Sequence, residues 1–169
     1  MRIQTVLVES PLGKLVLKAS ADAVLGLHFF QSEKRPVAVE IPTNEEPQLQ
    51  IVADTIQQLD EYFLGRRFNF DLPLQQEGSP FRQKVWAALL NIPYGRTISY
   101  MELSKRTGDA KAIRAVGTTN GANNISIIVP CHRVIGSNGS LTGYGGDLWR
   151  KQWLLEHENK FKHGVQTLF

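Results

Sequence analysis

The chain has 169 residues, of which 42% are hydrophobic, with one cysteine and a formal net charge of +3. A single cysteine excludes an intramolecular disulfide and any cysteine-rich zinc site. No apolar run reaches the roughly 20 residues that a membrane-spanning helix needs, and the alternating start of the chain is unlike a secretory signal, so we expect a cytoplasmic protein.

The charge is divided unevenly along the chain. Residues 1–78 hold 7 Lys and Arg against 11 Asp and Glu, which gives −4, and residues 79–169 hold 12 against 5, which gives +7. A basic half beside an acidic half is typical of a protein that binds a polyanion on one side. The alternative at this stage is that the basic residues only form a solvated surface.

The first third of the chain is predicted to be a β-meander followed by a helix. Alternating apolar residues predict strands in TVLVES, KLVLKAS and AVLGLHFF, and residues 35–47 predict a proline-punctuated loop or edge strand. Gly65 is the predicted stop of the helix. The apolar face of that helix recurs at spacings of three and four and consists of Leu49, Val52, Ile56, Leu59 and Phe63. A strand fragment and a polar linker are predicted to follow, in FNFDLPLQQEGS.

The second half of the chain changes to a helical pattern. Ser79 is a predicted N-cap, with Pro80 at the first helical position. Residues 100–123 predict two helices joined by a turn at residues 107–109, with Asp109 capping the second helix, which is helix-turn-helix spacing. Many unrelated helix pairs share this spacing. The predicted apolar face of the helix after Ser79 consists of Phe81, Val85, Trp86, Leu89 and Leu90.

The second helix of the predicted pair is rich in small residues. A helix that reads the major groove normally carries several long polar side chains, whereas small residues allow the backbone to approach a narrow groove. Arg114, the one long basic residue after Lys111, is then placed to enter the base stack or to hold the backbone. The alternative is that the small residues pack against another helix. They are Ala110, Ala112, Ala115, Gly117 and Gly121.

The one cysteine follows the apolar run ISIIV, which predicts a strand that ends at Pro130. A free cysteine is often a small core residue. However, Cys131 is followed by a histidine and an arginine, and nearby basic groups favour the reactive thiolate. Because adjacent side chains seldom point at one another, we expect a water bridge from Cys131 to His132 rather than a direct hydrogen bond. Glu158, in a later predicted helix, is a candidate to orient the imidazole.

Four segments together resemble the O6-alkylguanine-DNA alkyltransferases, also called methylated-DNA–protein-cysteine methyltransferases. They are ISYMELS, AIRAVGTTNG, PCHRVIG and GYGG…WRKQWLLEHE, and they fall between residues 79 and 160. The resemblance implies an α/β protein with an RNase H-like α/β domain at residues 1–78, with a linker at 73–78. A mostly helical winged-helix or helix-turn-helix domain would occupy residues 79–169.

The function that the resemblance implies is stoichiometric DNA repair. An alkyl group would pass from O6-alkylguanine in DNA, and from O4-alkylthymine as a further substrate, to Cys131, which inactivates the protein. The partner would be double-stranded DNA, bound through its minor groove with the alkylated base flipped out. The protein would act as a monomer, with no cofactor, no metal and no membrane. The alternatives are a sensor or regulator that binds lesions without repairing them, and a thiol hydrolase.

The resemblance also assigns catalytic roles to individual positions. Cys131 would be the alkyl acceptor, and His132 would act as its base through water. Glu158 would orient His132. Tyr100 would favour rotation of the damaged nucleotide and hydrogen-bond the N3 edge of the guanine.

Further positions would bind the DNA or the flipped base. Arg114 would fill the vacated stack from the recognition helix, which also carries Ala115, and Asn123 would be the hinge before the site strand. The backbone carbonyls of Cys131 and Val134 would accept from the exocyclic amine of the base. The remaining implied residues contact O6, assist Tyr100 or line the alkyl pocket, and they are Tyr144, Gly145, Lys151 and Ser126.

Three departures from the family pattern bear on these expectations. Asn124 stands where family members often have proline, so the turn into the site strand is expected to be less rigid. The zinc ligands of some relatives have no cysteine counterparts here. Ser126 also replaces a proline of some relatives, and a small residue there predicts a pocket that accepts groups larger than methyl.

Overall fold

The computed structural model describes residues 2–32 and 47–164. Its N-terminal part is a three-stranded antiparallel sheet in the order β1-β2-β3, with β1 at Ile3–Val8, β2 at Leu15–Ser20 and β3 at Val24–Phe29. The three predicted strands are confirmed. The loop or edge strand predicted at residues 35–47 falls, apart from its last residue, outside the described residues.

Helix α1 (Gln50–Phe63) covers the sheet through β2 and β3. Val52 and Leu59 of its predicted face are fully buried, and Phe63 is partly buried against the core. The helix ends as predicted, because Gly65 adopts a φ of +76° that glycine tolerates without a steric cost. In the segment where a strand fragment was predicted after this helix, Leu74 forms an isolated β-bridge to β3.

The C-terminal part begins with helix α2 (Pro80–Leu90), whose cap is the predicted one. The Ser79 hydroxyl accepts from the backbone N–H of Arg82 at 3.2 Å, and Pro80 occupies the first turn. The predicted apolar face holds for Val85, Trp86 and Leu89, but Leu90 is 51% exposed and that prediction is wrong. Leu90 follows the fully buried Leu89, and one residue turns the side chain about 100° around the helix.

The predicted helix pair is present as α3 (Tyr100–Arg106) and α4 (Ile113–Gly121), after the short strand β4 (Ile98–Ser99). The predicted cap at Asp109 is wrong, because α4 begins four residues later with no side-chain cap on Ala112. The Asp109 carboxylate instead accepts from the N–H of Lys111 at 2.8 Å and shapes the turn between the helices.

The strand predicted before Cys131 is also wrong. Only Ile125 forms a β-bridge, and the chain then turns, with Ile127 at a φ of +72°, into a 3-10 turn at Cys131–Arg133. The reason lies in polar contacts: the Asn123 side-chain amide donates to the carbonyls of Ile125 and Val129 and holds this turn closed. These bonds override the strand preference of β-branched residues.

The remaining elements close the site. Strand β5 (Val134–Ile135) pairs in parallel with β4, and α5 (Leu148–Asn159) continues as a π-helical turn over Lys160–Gly164. β3 also bonds to the turn before Cys131, because the Leu27 N–H donates to the Asn124 carbonyl and the Ser126 N–H donates to the Leu27 carbonyl, both at 2.8 Å.

The two halves of the chain share one hydrophobic core, which contains residues of the sheet, α1, α2 and α5. The boundary at residues 78 and 79 therefore stays a prediction. Within the described ranges, no helix has the length and apolar character needed to cross a membrane.

Candidate active site

Cys131 lies at the start of the 3-10 turn and is 5% exposed, at the base of a small cavity. The cavity has a volume of about 20 Å³, which is room for one water-sized group. It adjoins a wider space of about 370 Å³ that reaches Tyr100 and Gly117. The thiol therefore faces a narrow pocket that opens between α4 and the loop at residues 143–146.

The wall of the cavity contains three of the residues expected there. Ser126, Tyr144 and Gly145 all line it, and the ring of Phe29 reaches it from β3. Ser126 lies close enough to the Tyr144 hydroxyl to act on its pKa, although the two do not reach regular hydrogen-bond geometry. Burial raises the pKa of Tyr144 well above its usual value, so this phenol keeps its proton.

Asn123 contacts the sulfur directly. Its Nδ2 lies 3.2 Å from Cys131 Sγ, and its Oδ1 accepts from the Ile125 N–H at 3.1 Å and from Gln76 Nε2 at 2.8 Å. The two bonds to Oδ1 fix which end of the amide faces the sulfur. Nδ2 carries two hydrogens and also lies within hydrogen-bond distance of the Ile125 and Val129 carbonyls, so the sulfur shares this donor with them. A donor shared with the sulfur still favours the thiolate over the thiol.

His132 and Glu158 form the expected pair. His132 Nε2 lies 2.7 Å from Glu158 Oε2, and both side chains are almost completely buried. His132 Nδ1 makes no hydrogen bond within the described residues. The pair thus leaves one imidazole nitrogen available inside the protein.

Glu158 accepts hydrogen bonds from more residues than the sequence indicated. Arg133 donates from Nε to Oε1 at 2.8 Å and from Nη2 to Oε2 at 3.0 Å. The Tyr62 hydroxyl donates to Oε2 at 2.7 Å, and the Gly95 N–H donates to Oε1 at 3.3 Å. Both oxygens of the carboxylate are therefore saturated by donors.

Burial and charge act in opposite directions on this cluster. Burial would raise the pKa of Glu158, but the hydrogen bonds and charges of His132 and Arg133 hold it well below its usual range. The Arg133 guanidinium donates to both carboxylate oxygens and therefore favours the ionised form of Glu158. Burial lowers the pKa of His132 below 6.5, and the attraction of Glu158 only partly opposes that effect. The favoured state is a neutral imidazole beside a carboxylate.

Lys151 is fully buried beneath the same site. Its Nζ donates to the Val134 carbonyl at 2.6 Å and to the Gly143 carbonyl at 3.4 Å. The Cys131 carbonyl accepts from Asn120 Nδ2 at 3.3 Å. Both carbonyls expected to face the base are thus already engaged: that of Cys131 accepts from Asn120 and from the Val134 N–H, and that of Val134 accepts from Lys151. The bonds of Lys151 fasten β5 to the loop at residues 143–146.

The helix pair carries the remaining expected residues away from the thiol. Arg114 and Ala115 are exposed on the first turn of α4. Tyr100 is half-buried at the start of α3, and its hydroxyl lies 3.0 Å from Thr142 Oγ1. Tyr100 and α4 line the wider space, so this pair forms its outer rim.

Sequence reasoning missed Tyr62, Gly95, Arg133, Asn120 and Gln76. The sequence does contain an indication for Arg133, because an arginine that is buried next to the histidine of PCHR needs a carboxylate partner. The contacts of Tyr62 and Gln76 depend on how the first half packs against the second, which no local pattern reveals. No group of three or more His, Cys, Asp or Glu that could hold a metal ion occurs in residues 2–32 and 47–164.

Comparison with known families matches both halves of the chain. Residues 3–76 match the model of the ribonuclease-like domain of 6-O-methylguanine DNA methyltransferase, and residues 80–160 match its DNA binding domain. The constitutive methylated-DNA–protein-cysteine methyltransferase of Bacillus subtilis is 45% identical over 82% of this chain and 84% of its own length. The Mycobacterium tuberculosis methylated-DNA–protein-cysteine methyltransferase is 43% identical over 96% of each chain.

A solved structure supports the same assignment of the fold. The crystal structure of Mycobacterium tuberculosis OGT in complex with DNA superposes with a TM-score of 0.81 and 41% sequence identity, over 100% of this chain and 99% of that one. The RNase H-like and helical architecture expected from the sequence is therefore confirmed.

Proposed function

The chain belongs to the methylated-DNA–protein-cysteine methyltransferase family, and its function is direct-reversal repair of alkylated DNA. From this premise we propose that Cys131 takes the alkyl group from O6 of guanine. The observation that carries the proposal is the buried thiol in a narrow pocket, with the Asn123 amide 3.2 Å from its sulfur. His132 is the proposed base, and Glu158, whose two oxygens both accept hydrogen bonds, orients it.

The chemistry is a displacement at the alkyl carbon. A lone pair of the Cys131 thiolate forms the new S–C bond, and the O–C bond breaks with its electrons moving to the guanine. The thiol proton passes to His132 Nδ1 through a bridging water. The leaving guanine takes a proton from solvent water and His132 returns its proton to solvent, so the net step moves one alkyl group to sulfur and one proton to guanine. The thioether is stable, so one protein repairs one lesion and is then spent.

The protonation states in the site suit this sequence of steps. A neutral His132 with Nε2–H held by Glu158 carries its free lone pair on Nδ1, which is what a base requires. The imidazolium that forms is then stabilised by the ionised Glu158. Tyr144 keeps its proton and is available to donate toward O6 of the leaving base, beside Gly145.

We propose that DNA binds through its minor groove against α3 and α4. Exposed basic side chains on and between these helices face solvent and can neutralise phosphates, and they are Lys105, Arg106, Lys111 and Arg114. The small residues of α4 permit close approach to the groove. Because the thiol lies in a narrow pocket that an intact duplex cannot enter, the base must rotate out of the stack to reach it. Arg114 fills the space that it leaves, and Tyr100 lines the path.

The groups in this proposal all come from one chain, so the protein is proposed to act as a monomer. It is also proposed to act in the cytoplasm. Sedimentation with and without a lesion duplex checks the first point: a dimer required for transfer would contradict it. Cell fractionation checks the second, and a purely membrane-bound pool would contradict it.

The proposal is tested by intact-mass measurement. Incubation with a duplex carrying O6-methylguanine should add one methyl group to the wild type and none to Cys131→Ala. Cys131→Ser is the matched control, because it preserves the shape of the site but removes the reactive sulfur. Binding without a mass change would favour a lesion sensor instead, and repeated turnover would favour a hydrolase.

Ser126 sets one wall of the pocket and is proposed to admit groups larger than methyl. A proline in its place is a poor test, because the Ser126 N–H donates to the Leu27 carbonyl at 2.8 Å and proline has no N–H. Ser126→Val narrows the pocket and keeps that bond. Transfer of benzyl should slow more than transfer of methyl, and equal slowing would reject the idea.

A further inference from the structure

A hydroxyl from the N-terminal half reaches the proposed reaction centre. Tyr62 lies in the last turn of α1 and is fully buried. Its hydroxyl lies 2.7 Å from Glu158 Oε2, the same oxygen that lies 2.7 Å from His132 Nε2. The packing of α1 against α5 holds this contact, because His157 Nε2 also bonds to the Tyr62 carbonyl at 2.8 Å.

The direction of each proton around Glu158 follows from the geometry. An ionised carboxylate only accepts, so Tyr62 must donate, and His132 must carry a proton on Nε2. The two oxygens receive five donor atoms from four residues, namely Tyr62, Gly95, His132 and two nitrogens of Arg133. Tyr62 and His132 therefore compete for the negative charge of one oxygen.

We propose that Tyr62 is a positioning residue for alkyl transfer, which donates to Glu158 Oε2 and thereby limits how strongly that oxygen holds the imidazole proton of His132. The proposal rests on the proposed function, in which His132 is the base. Without the Tyr62 hydroxyl, Oε2 carries more charge and stabilises the imidazolium more. His132 would then lose its base form at a higher pH than in the wild type.

Other groups act on the same imidazole and must be kept constant in a test. Arg133 from the 3-10 turn and Lys151 from α5 disfavour its charged form, and Glu158 favours it. Burial and the negative charge of Glu158 raise the pKa of Tyr62 and of Tyr94, so both hydroxyls keep their protons in the pH range of the test. Removing the Tyr62 hydroxyl alone changes neither the formal charge of this cluster nor the shape of its aromatic packing.

Tyr94 provides a matched control. It is buried in the same aromatic cluster, with its ring centroid 6.1 Å from that of Tyr62. Its hydroxyl makes no hydrogen bond within the described residues. Tyr94→Phe therefore removes a buried hydroxyl from the same region without removing a donor to Glu158.

The test measures single-turnover methyl transfer from a saturating O6-methylguanine duplex across pH 5 to 8.5. The acidic midpoint of the profile should move up by about half a pH unit in Tyr62→Phe, since one charge-assisted hydrogen bond is lost. It should stay in place in Tyr94→Phe. An unchanged midpoint in Tyr62→Phe, or equal shifts in both variants, overturns the proposal. Absence of transfer in the wild type would instead overturn the proposed function.

A measurement on the wild type covers the case in which Tyr62→Phe does not fold. The Tyr62 hydroxyl and His132 Nε2 both donate to Glu158 Oε2, which brings their protons close together, so proton NMR should show a cross-peak between them. The cross-peak supports the proposal. Its absence overturns the shared-oxygen arrangement on which the proposal depends.

Discussion

The two halves of the molecule bury different kinds of side chains. In the described residues up to 78, the buried polar side chains besides Tyr62 are the uncharged Gln4, Thr5, Ser20 and Thr55. From residue 79 onward, the described part of the chain buries seven acidic, basic or histidine side chains, which are His132, Arg133, Asp147, Arg150, Lys151, His157 and Glu158. Buried charges stabilise a fold poorly unless every partner is present. The first half therefore supports the fold through its apolar sheet, and the second carries the buried charged groups, among them the proposed base His132.

The contrast is sharpest at Glu158, and Glu158→Gln should have the largest effect. The change leaves the buried Arg133 without an ionised partner and leaves the imidazolium of His132 unstabilised. The free energy of unfolding should fall by about 3 kcal/mol, and the transfer rate should fall about 100-fold. Denaturant unfolding and single-turnover transfer measure these effects.

Glu156→Gln is the matched control, since Glu156 is an exposed carboxylate on the same helix. It should leave both quantities near the wild-type values. Equal losses in the two variants would mean that α5 tolerates no such change, and that Glu158 has no special role.

The next largest effect is expected from Asn123→Asp. The substitution replaces the amide donor beside Cys131 Sγ by a negative charge, which disfavours the thiolate. Transfer should slow about tenfold to 100-fold, the range for losing a hydrogen bond to a charged group. Asn124→Asp adds the same charge at the exposed neighbouring position and should change the rate little. A similar loss there would point to general electrostatics rather than to the contact with sulfur.

Arg114→Ala separates the DNA-binding surface from the buried network. We expect transfer from duplex DNA to slow about tenfold, because the flipped state loses the side chain that fills the stack. Free O6-alkylguanine needs no flipping and should react as before. Lys111→Ala removes a neighbouring exposed charge and should weaken binding mainly through salt-dependent phosphate contacts. Equal losses on duplex and free base in Arg114→Ala would indicate a folding role.

The last expected effect is the dependence of stability on pH. Burial lowers the pKa of His132 and of His157 in the folded protein, whereas the unfolded chain takes up protons near pH 6.5. The unfolded state therefore binds more protons below that pH, and the free energy of unfolding should decrease as the pH falls from 6.5 to 5. The slope is at most about 1.4 kcal/mol per pH unit for each group.

Glu158 does not contribute in this window, because its folded pKa is depressed and its stabilisation is lost only at more acidic pH. His132→Gln should show a shallower decrease than the wild type. A flat profile in the wild type between pH 5 and 6.5 would contradict the direction assigned to both histidines.

Much of the fold could be predicted because its elements follow local patterns. The alternating strands, the face of α1 and the cap at Ser79 all follow from side chains within a few residues of one another. The prediction of a strand before Cys131 failed because the Asn123 side chain, which lies outside the apolar run, hydrogen-bonds to the backbone of that run. The positive φ of Ile127 also cannot be foreseen from composition. The predicted burial of Leu90 failed because consecutive leucines in a helix do not lie on the same face.

The site residues could be predicted only where they lie within the sequence segments that carry the motif. Cys131, His132 and Glu158 were candidates from the residues themselves, the family resemblance then assigned their roles, and the structure places the latter two in contact. Tyr62 and Gln76 could not be found in this way, because each reaches the site across the interface between the halves. Their contribution depends on tertiary packing rather than on any local spacing.

The central claim is that Cys131 is consumed in the reaction that it performs. The most direct test titrates limiting protein with excess O6-methylguanine duplex and then maps the product by tryptic digestion. The account predicts that repair stops at one lesion per protein molecule, with the methyl group on the peptide of residues 115–133, which contains Cys131. Continued turnover, or a methyl group on any other peptide, would contradict it.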